Sequence, residues 1–246
     1  MSSSVRSSII KGLQAGFQRG RPLHTSDLRR ARVSNELAYR YVQHGWLEKL
    51  GRGTFMFAGD ELQREACLGY LAERLPGLHV GGKTALALRG KTQNILFRET
   101  LTLWGPKNVR LPEWFAKRFA SRYTSRELFS DELTVGFGLS SLQGEGVPVS
   151  EPERALLEML SEVGTRQEVE EARNIMELLG SPRMEYLLLL LKACRQTKTV
   201  RLCVQWAKEL GLPWAAQAEE ALSGVTGKHR WVRRLGNGKT LILNPV

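Results

Sequence analysis

Residues 24–57 read HTSDLRRARVSNELAYRYVQHGWLEKLGRGTFMF. Thr25 is placed to cap a short helix through Arg30, with Leu28 facing inward. Ala31, Arg32 and Val33 make a tight connection. Ser34 then caps a longer helix that runs to about His44 and stops at Gly45. Two short apolar runs follow, Trp46–Leu50 and Thr54–Phe57, on either side of Gly51-Arg52-Gly53, which reads as a hairpin tip. Upstream, Ile9, Ile10, Leu13 and Phe17 recur at helical spacing and predict a helix over residues 4–18, ended by Gly20, Arg21 and Pro22. Helix, helix, turn, helix and β-hairpin, in that order, predict a winged helix-turn-helix.

Charge points the same way. The chain has 246 residues, 42% of them hydrophobic, and a formal net charge of +11. Length and hydrophobic content fit one or two folded domains. A balance this basic favours a polyanionic partner, most simply nucleic acid. Residues 1–58 hold ten Lys/Arg against three Asp/Glu, while residues 59–150 and 151–246 each carry only +2. The excess therefore coincides with the expected winged helix. A second basic patch, with Lys228, Arg230, Arg233, Arg234 and Lys239, lies near the end.

Other classes find little support. The three cysteines, Cys67, Cys194 and Cys203, are scattered and lack metal-ligand spacing, and the four histidines do not cluster with them. No metal and no cofactor is expected. The apolar run Leu187–Leu191 is too short to span a bilayer. The N-terminus lacks the apolar core of a secretory signal, so a cytoplasmic protein is expected.

The whole chain reads as α+β: a winged helix-turn-helix over 1–58, and a larger mixed α/β domain over 59–246 ending in a helical bundle and a hairpin. In the second region, helices are expected over about 61–75 and 83–88. Leu111-Pro112-Glu113-Trp114 opens another. Strands are expected at 95–97, 100–104, 121–124 and 133–137. From Ser150 the pattern turns helical. Ser150-Glu151-Pro152-Glu153 and Thr165-Arg166-Gln167-Glu168 both have capping-box spacing. Further helices are expected over about 183–195, 199–210 and 214–221, followed by a hairpin turning at Gly236-Asn237-Gly238. The glutamates between Glu151 and Glu177 read as solvated helix faces.

One motif argues for a nucleotide enzyme. Residues 77–84, GLHVGGKT, match G-x-x-x-x-G-K-T letter for letter. A P-loop needs a buried strand leading into the glycines and a helix after them. The residues before Gly77 have helical spacing instead, and no later apolar strand ends in a magnesium-binding aspartate. The preferred reading is a turn at Gly81-Gly82 and a helix opening at Lys83-Thr84, with Leu86 and Leu88 or their neighbours buried. No other catalytic pattern stands out, so no catalytic residue is nominated.

On a helical wheel, Leu37, Ala38, Tyr41 and Val42 gather on the inner side of the third helix. Asn35, Glu36, Tyr39, Arg40 and Gln43 lie opposite. An α-helix fits the major groove, where Arg40 can bond a guanine edge and Asn35 or Gln43 an adenine. Lys49 and Arg52 sit on the wing, and Arg29, Arg30 and Arg32 surround the helix-turn-helix corner, suited to phosphates. Any surface helix has a polar face; the winged-helix order and the local charge are what favour DNA.

The 24–57 stretch resembles the winged helix of AbiEi-type antitoxins, whose recognition helix leads through a glycine and a large apolar residue to a G-R-G wing. GGKTALALRG (81–90) is similar to the short helix that opens their C-terminal domain. VPVSEPERALLEML (147–160) resembles their S-x-x-E-R-A-L-L-D helix, with Glu158 in place of the aspartate. The resemblance spans most of residues 20–225. It implies an autorepressing antitoxin of a bacterial type IV toxin–antitoxin or abortive-infection (phage-defence) system, not an enzyme. Its implied partners are double-stranded DNA of its own promoter, commonly inverted repeats, and a nucleotidyltransferase-like toxin countered by the C-terminal domain. Implied contact residues are Asn35, Tyr39, Arg40, Gln43 and the Lys49–Arg52 wing, with Arg230, Arg233, Arg234 and Lys239 as a patch for a partner or nucleic acid. Two alternatives stay open: a winged-helix regulator whose second domain binds an unrelated ligand or partner, and a P-loop nucleotide hydrolase.

Overall fold

The computed structural model describes residues 12–90, 100–105, 109–130, 137–141, 146–224, 226–227, 229–234, 238 and 240–246. Ile9 and Ile10, the strand expected at 95–97, most of that at 133–137, Gly236-Asn237, Lys228 and Lys239 lie outside these residues. Two compact units divide the chain: Met1–Arg74 with Arg110–Ala120, and Leu75–Val109 with Ser121–Val246. The unit that contains the winged helix thus runs past residue 58 and takes back a later segment.

The first unit begins with α1, described over residues 12–16. Then come β1 (Leu23–His24), α2 (Thr25–Arg30), α3 (Asn35–Gln43), β2 (Leu47–Gly51) and β3 (Thr54–Phe57). The strands form an antiparallel sheet in the order β1-β3-β2. Leu13, Leu23, Leu28, Val33, Leu37, Ala38, Tyr41, Leu47, Phe55 and Phe57 pack into one core, with Phe17, Val42 and Trp46 at its margin. α4 (Arg64–Arg74) and α6 (Glu113–Arg118) complete the unit.

Strand β3 shows why they are needed. All four of its residues are buried, not alternate ones. Phe55 and Phe57 face the winged-helix core. On the other face, the Thr54 hydroxyl lies 3.1 Å from the Tyr70 hydroxyl of α4. The Tyr70 ring meets Trp114 of α6 edge-on at 6.1 Å. The wing sheet is therefore covered on both faces, which alternation in sequence did not announce.

The second unit is built on a mixed five-stranded sheet, β6-β5-β4-β8-β7. Its strands are β4 (His79–Val80), β5 (Leu101–Trp104), β6 (Ser121–Thr124), β7 (Leu139–Ser141) and β8 (Pro148–Ser150). β5 and β6 are parallel, as are β4 and β8; β4–β5 and β7–β8 are antiparallel. α5 (Gly82–Leu88) and α7 (Pro152–Glu162) pack against each other beside this sheet. α8 (Val169–Glu177), α9 (Met184–Ala193), α10 (Thr197–Glu209) and α11 (Ala215–Leu222) form the expected helical region. β9 (Trp231–Arg234) and β10 (Thr240–Leu243) close it as an antiparallel hairpin. No described helix is long and apolar enough to cross a membrane.

The stretch that imitates a P-loop supplies the central strand, β4, and the N-terminus of α5. As expected, a helix opens there and buries Leu86, while Leu88 stays half-buried. The anion it holds is internal. Glu158 of α7 is fully buried, and its carboxylate accepts from the Gly82 backbone N–H (3.0 Å), the Ser150 hydroxyl (2.8 Å) and Arg154 Nε (2.9 Å). His79 Nε2 lies 2.9 Å away, and its Nδ1 faces the Gly77 carbonyl at 2.8 Å. A Cβ at Gly81 would collide with the Glu158 carboxylate and with the Trp104 ring. Lys83 pairs with Glu171 at 3.0 Å. The phosphate-facing amide of the motif is thus occupied by the protein's own carboxylate, against the nucleotide reading.

Three expectations need correction here. The glutamates of α7 are not a solvated face: Glu153, Glu158 and Glu162 are all buried. Glu153 accepts from Arg183 Nε and its backbone N–H, and Glu162 from Arg122 and the Thr124 hydroxyl. Ser150 does not cap α7; Glu151 holds the cap position with Pro152 after it, and the Ser150 hydroxyl serves Glu158. Thr165 does not cap α8; Glu168 holds the cap position without a side-chain bond, and the Thr165 hydroxyl donates to the Glu162 carbonyl. For the α7 glutamates and Ser150 a partner beyond the expected cap claimed the group, whereas Thr165 turned back to a carbonyl three residues before it.

Burial alone would push the Glu158 carboxyl up, but His79 and Arg154 outweigh it and hold it down at about 2. A depressed carboxyl stabilises the fold above its unfolded value of about 4.5, and that contribution is lost as pH falls toward about 2. Glu158→Gln should therefore destabilise the protein near neutrality, with the gap to wild type closing across this acid range. Urea midpoints against pH measure it, and a pH-independent gap would contradict the assignment. Glu158→Ala, which leaves the buried Arg154 beside no counter-charge, should cost about 3–5 kcal/mol.

Candidate nucleic-acid interface

The helix-turn-helix corner is held by two unlike caps. Ser34 Oγ accepts from the Leu37 N–H at 3.2 Å, as its place before α3 predicts. At α2 the cap is His24, not Thr25: His24 Nδ1 accepts from the Ser26 N–H (3.2 Å), and Asp27 accepts from the His24 N–H (2.9 Å). Burial, then the nearby Arg74 charge, lower the His24 pKa, which keeps Nδ1 available as an acceptor. Sequence favoured Thr25 because histidine is not among the usual capping residues.

Between the helices, Arg32 has φ +62°, the one non-glycine with positive φ among the described residues. Its N–H donates to the Arg29 carbonyl, and the Val33 N–H to that of Leu28. The tight corner thus places a cation in a conformation that costs an L-residue about 1–2 kcal/mol.

On α3 the expected division of faces holds. Leu37, Ala38 and Tyr41 are buried, Val42 is half-buried, and Asn35, Glu36, Tyr39, Arg40 and Gln43 are exposed. Tyr39 does two things at once. Its ring is half exposed, yet its edge meets Phe55 of β3 at 6.1 Å, and Lys49 Nζ of β2 lies 5.3 Å from its centroid. It therefore joins the outer face of α3 to the wing. At the tip, Gly53 has φ +66° and its carbonyl accepts from the Thr25 N–H at 2.9 Å, leaving Arg52 exposed between two glycines.

Ion pairing sorts the basic residues of this unit. Arg19 pairs with Asp60, and Arg21 with Glu73 at 2.6 Å, so both are structural. Arg74 takes Asp27 at 2.8 Å while stacking 4.0 Å from the Tyr70 centroid. Arg30 stays within 3.9 Å of Asp27 but is exposed. Arg29, Arg32, Arg40, Lys49 and Arg52 are exposed and have no acidic partner among the described residues. The unit thus gathers the nominated recognition-helix, corner and wing residues on one winged helix, with most of their charge uncompensated.

Two family models together match nearly the whole chain. One, described as the N-terminal domain of the AbiEi antitoxin transcriptional regulator, matches residues 6–97. The other, described as transcriptional regulator, AbiEi antitoxin, type IV TA system, matches residues 98–241. The chain belongs to the AbiEi antitoxin family. It is also similar in fold to the crystal structure of the RV2827C protein from Mycobacterium tuberculosis. There the TM-score is 0.61 at 16% identity, covering 95% of this chain and 85% of that one. No curated protein matches at a significant level.

In this AbiEi-family chain the late basic patch is only partly described. Arg230, Arg233 and Arg234 are exposed on or beside β9; Lys239 lies outside the described residues. Arg233 pairs across the hairpin with Leu241, and outward-facing Val232 with Ile242. Lys198, whose Nζ donates to the Ser161 and Val163 carbonyls at 2.9 Å, is held down to about 8, first by burial and then by Arg126 and Arg233. Lys198 and Arg126, which donates to the Ser161 carbonyl at 3.1 Å, thus meet at the C-terminus of α7, where free carbonyls and the helix dipole favour cations.

Sequence reading missed Arg74, Tyr70 and Trp114 as supports of the interface. No local signal marks them, because each works through a residue at least sixteen positions away. The Arg32 geometry carries its own test. Arg32→Gly should preserve the urea midpoint, whereas Arg32→Val should lower stability by more than about 1 kcal/mol. Equal midpoints for the two variants would contradict a left-handed corner.

Proposed function

We propose that this AbiEi-family regulator represses its own promoter through residues 1–58 and neutralises a nucleotidyltransferase-like toxin through residues 59–246. The observation that carries the DNA part is the outer face of α3. Asn35, Tyr39, Arg40 and Gln43 stand exposed there, flanked by Arg29, Arg32, Lys49 and Arg52 without acidic partners among the described residues. Hydrogen-bonding side chains on a major-groove helix read base edges, and surrounding cations hold the phosphates. Arg40 and Gln43, with Asn35, are the base-reading residues; Arg29, Arg30, Arg32, Lys49 and Arg52 are the phosphate contacts. The family membership carries the antitoxin part. Arg230, Arg233, Arg234 and Lys239 are the basic patch offered to a partner, and no residue is assigned to catalysis.

A gel shift of the full chain on its own upstream DNA tests the reading. Arg40→Ala should relax preference at one base position by about 1–3 kcal/mol, while Arg29→Ala should weaken all sequences alike. With about five phosphate contacts, the log–log salt slope should be about −4 to −5 per subunit. An Arg40→Ala variant that keeps the wild-type base preference would sink the recognition-helix assignment. For the second role, co-expression should relieve the toxicity of a neighbouring nucleotidyltransferase-like reading frame. Toxicity unchanged by the full chain would overturn it.

A further inference from the structure

The first unit recruits a segment that sequence order places far from the winged helix. Strand β3 presents Phe55 toward Tyr39 of α3 and Thr54 toward Tyr70 of α4. Thr54 is registered opposite Gly51, the last residue of β2 at the wing tip. On that second face, a Cβ at Gly51 would sit 3.5 Å from Trp114 Cδ1 of α6. Trp114 is gripped in turn by Tyr70 and, at 5.9 Å, by buried Phe115. α6 is thus packed against the wing tip on the side away from the recognition helix.

What α6 brings there is positive charge. Arg110, Lys117 and Arg118 are exposed, against Glu113 as the one acidic residue of the segment. Lys117 pairs with exposed Glu113 at 2.6 Å, and Arg118 lies 3.9 Å from exposed Glu61. Arg110 has no acidic partner among the described residues. A six-residue helix is about 9 Å long. Lys117 and Arg118 therefore lie within roughly one Debye length of the wing at 0.1 M salt and add to the potential of Arg52, and Arg110 precedes the helix by three residues.

We infer that the DNA-contact surface extends past the wing onto residues 110–118. Arg110 and Lys117 bind the phosphate backbone beyond the wing tip, and Trp114 is the positioning residue that holds the segment there. The inference rests on the winged helix binding DNA, and it adds a second, sequence-independent element to that footprint. Lys117 exchanges its exposed Glu113 partner for a phosphate, at little cost because a solvent-exposed pair is weak.

The test is the salt dependence of operator binding by the full chain. Arg110→Ala and Lys117→Ala should each reduce the magnitude of the log–log slope by about 0.9, with roughly fivefold weaker binding at physiological salt. Lys192→Ala, an exposed cation of the other unit, is the control for net charge and should leave the slope unchanged. Trp114→Ala should remove both contacts together, and Trp114→Phe should restore them, with melting temperature followed in parallel. Slopes for the Arg110 and Lys117 variants equal to wild type, or a drop matched by Lys192→Ala, overturn the proposal. Failure of the winged-helix reading looks different: the wild-type chain would then show no operator preference for Arg40→Ala to relax.

Discussion

A buried carboxylate, Glu158, needs four donors, and the second unit is arranged to supply them. An ionised acid in a protein interior is tolerated only when it is paired and hydrogen-bonded. The donors come from His79 at the central strand, Gly82 at the start of α5, Ser150 at the end of β8 and Arg154 one turn back on α7. Meeting that demand locks the middle of the sheet to both helices. It also explains the glycines: any side chain at Gly81 would occupy the carboxylate's place. The P-loop letters arise from related physics, since a helix N-terminus with small residues suits any anion. Here the anion is covalently part of the chain.

The first unit solves a different problem. A small winged helix has little core, and its hairpin would leave one face wet. Tyr70 and Trp114 cover that face, so Thr54 and Met56 are buried along with Phe55 and Phe57. Arg19, Arg21 and Arg74 are spent on Asp60, Glu73 and Asp27. The remaining cations stay available at the corner, the recognition helix and the wing.

Much of this was legible in advance. Ser34, the apolar stripe Leu37-Ala38-Tyr41 and the Gly51-Arg52-Gly53 tip placed α3 and the wing correctly, because caps, periodicity and turn glycines are local signals. β4 was missed because two residues carry no period. Ser150 and Thr165 were assigned to helix caps because capping-box spacing is generic, and only the fold reveals that Glu158 and the Glu162 carbonyl claim those hydroxyls. The buried glutamates read as a solvated face because charge in sequence implies water unless a partner is known, and Arg122, Arg154 and Arg183 come from other turns or other elements.

By itself, the sequence determined the winged-helix order, the exposed face of α3, the concentration of charge in the first quarter and the mixed α/β character of the rest. All follow from interactions between residues a few positions apart. Only the tertiary structure decided which arginines are free and which are structural. It also decided that residues 110–120 return to brace the wing, and that GLHVGGKT encloses a carboxylate. Those outcomes depend on which distant groups meet in space, where burying a charge makes its partner obligatory.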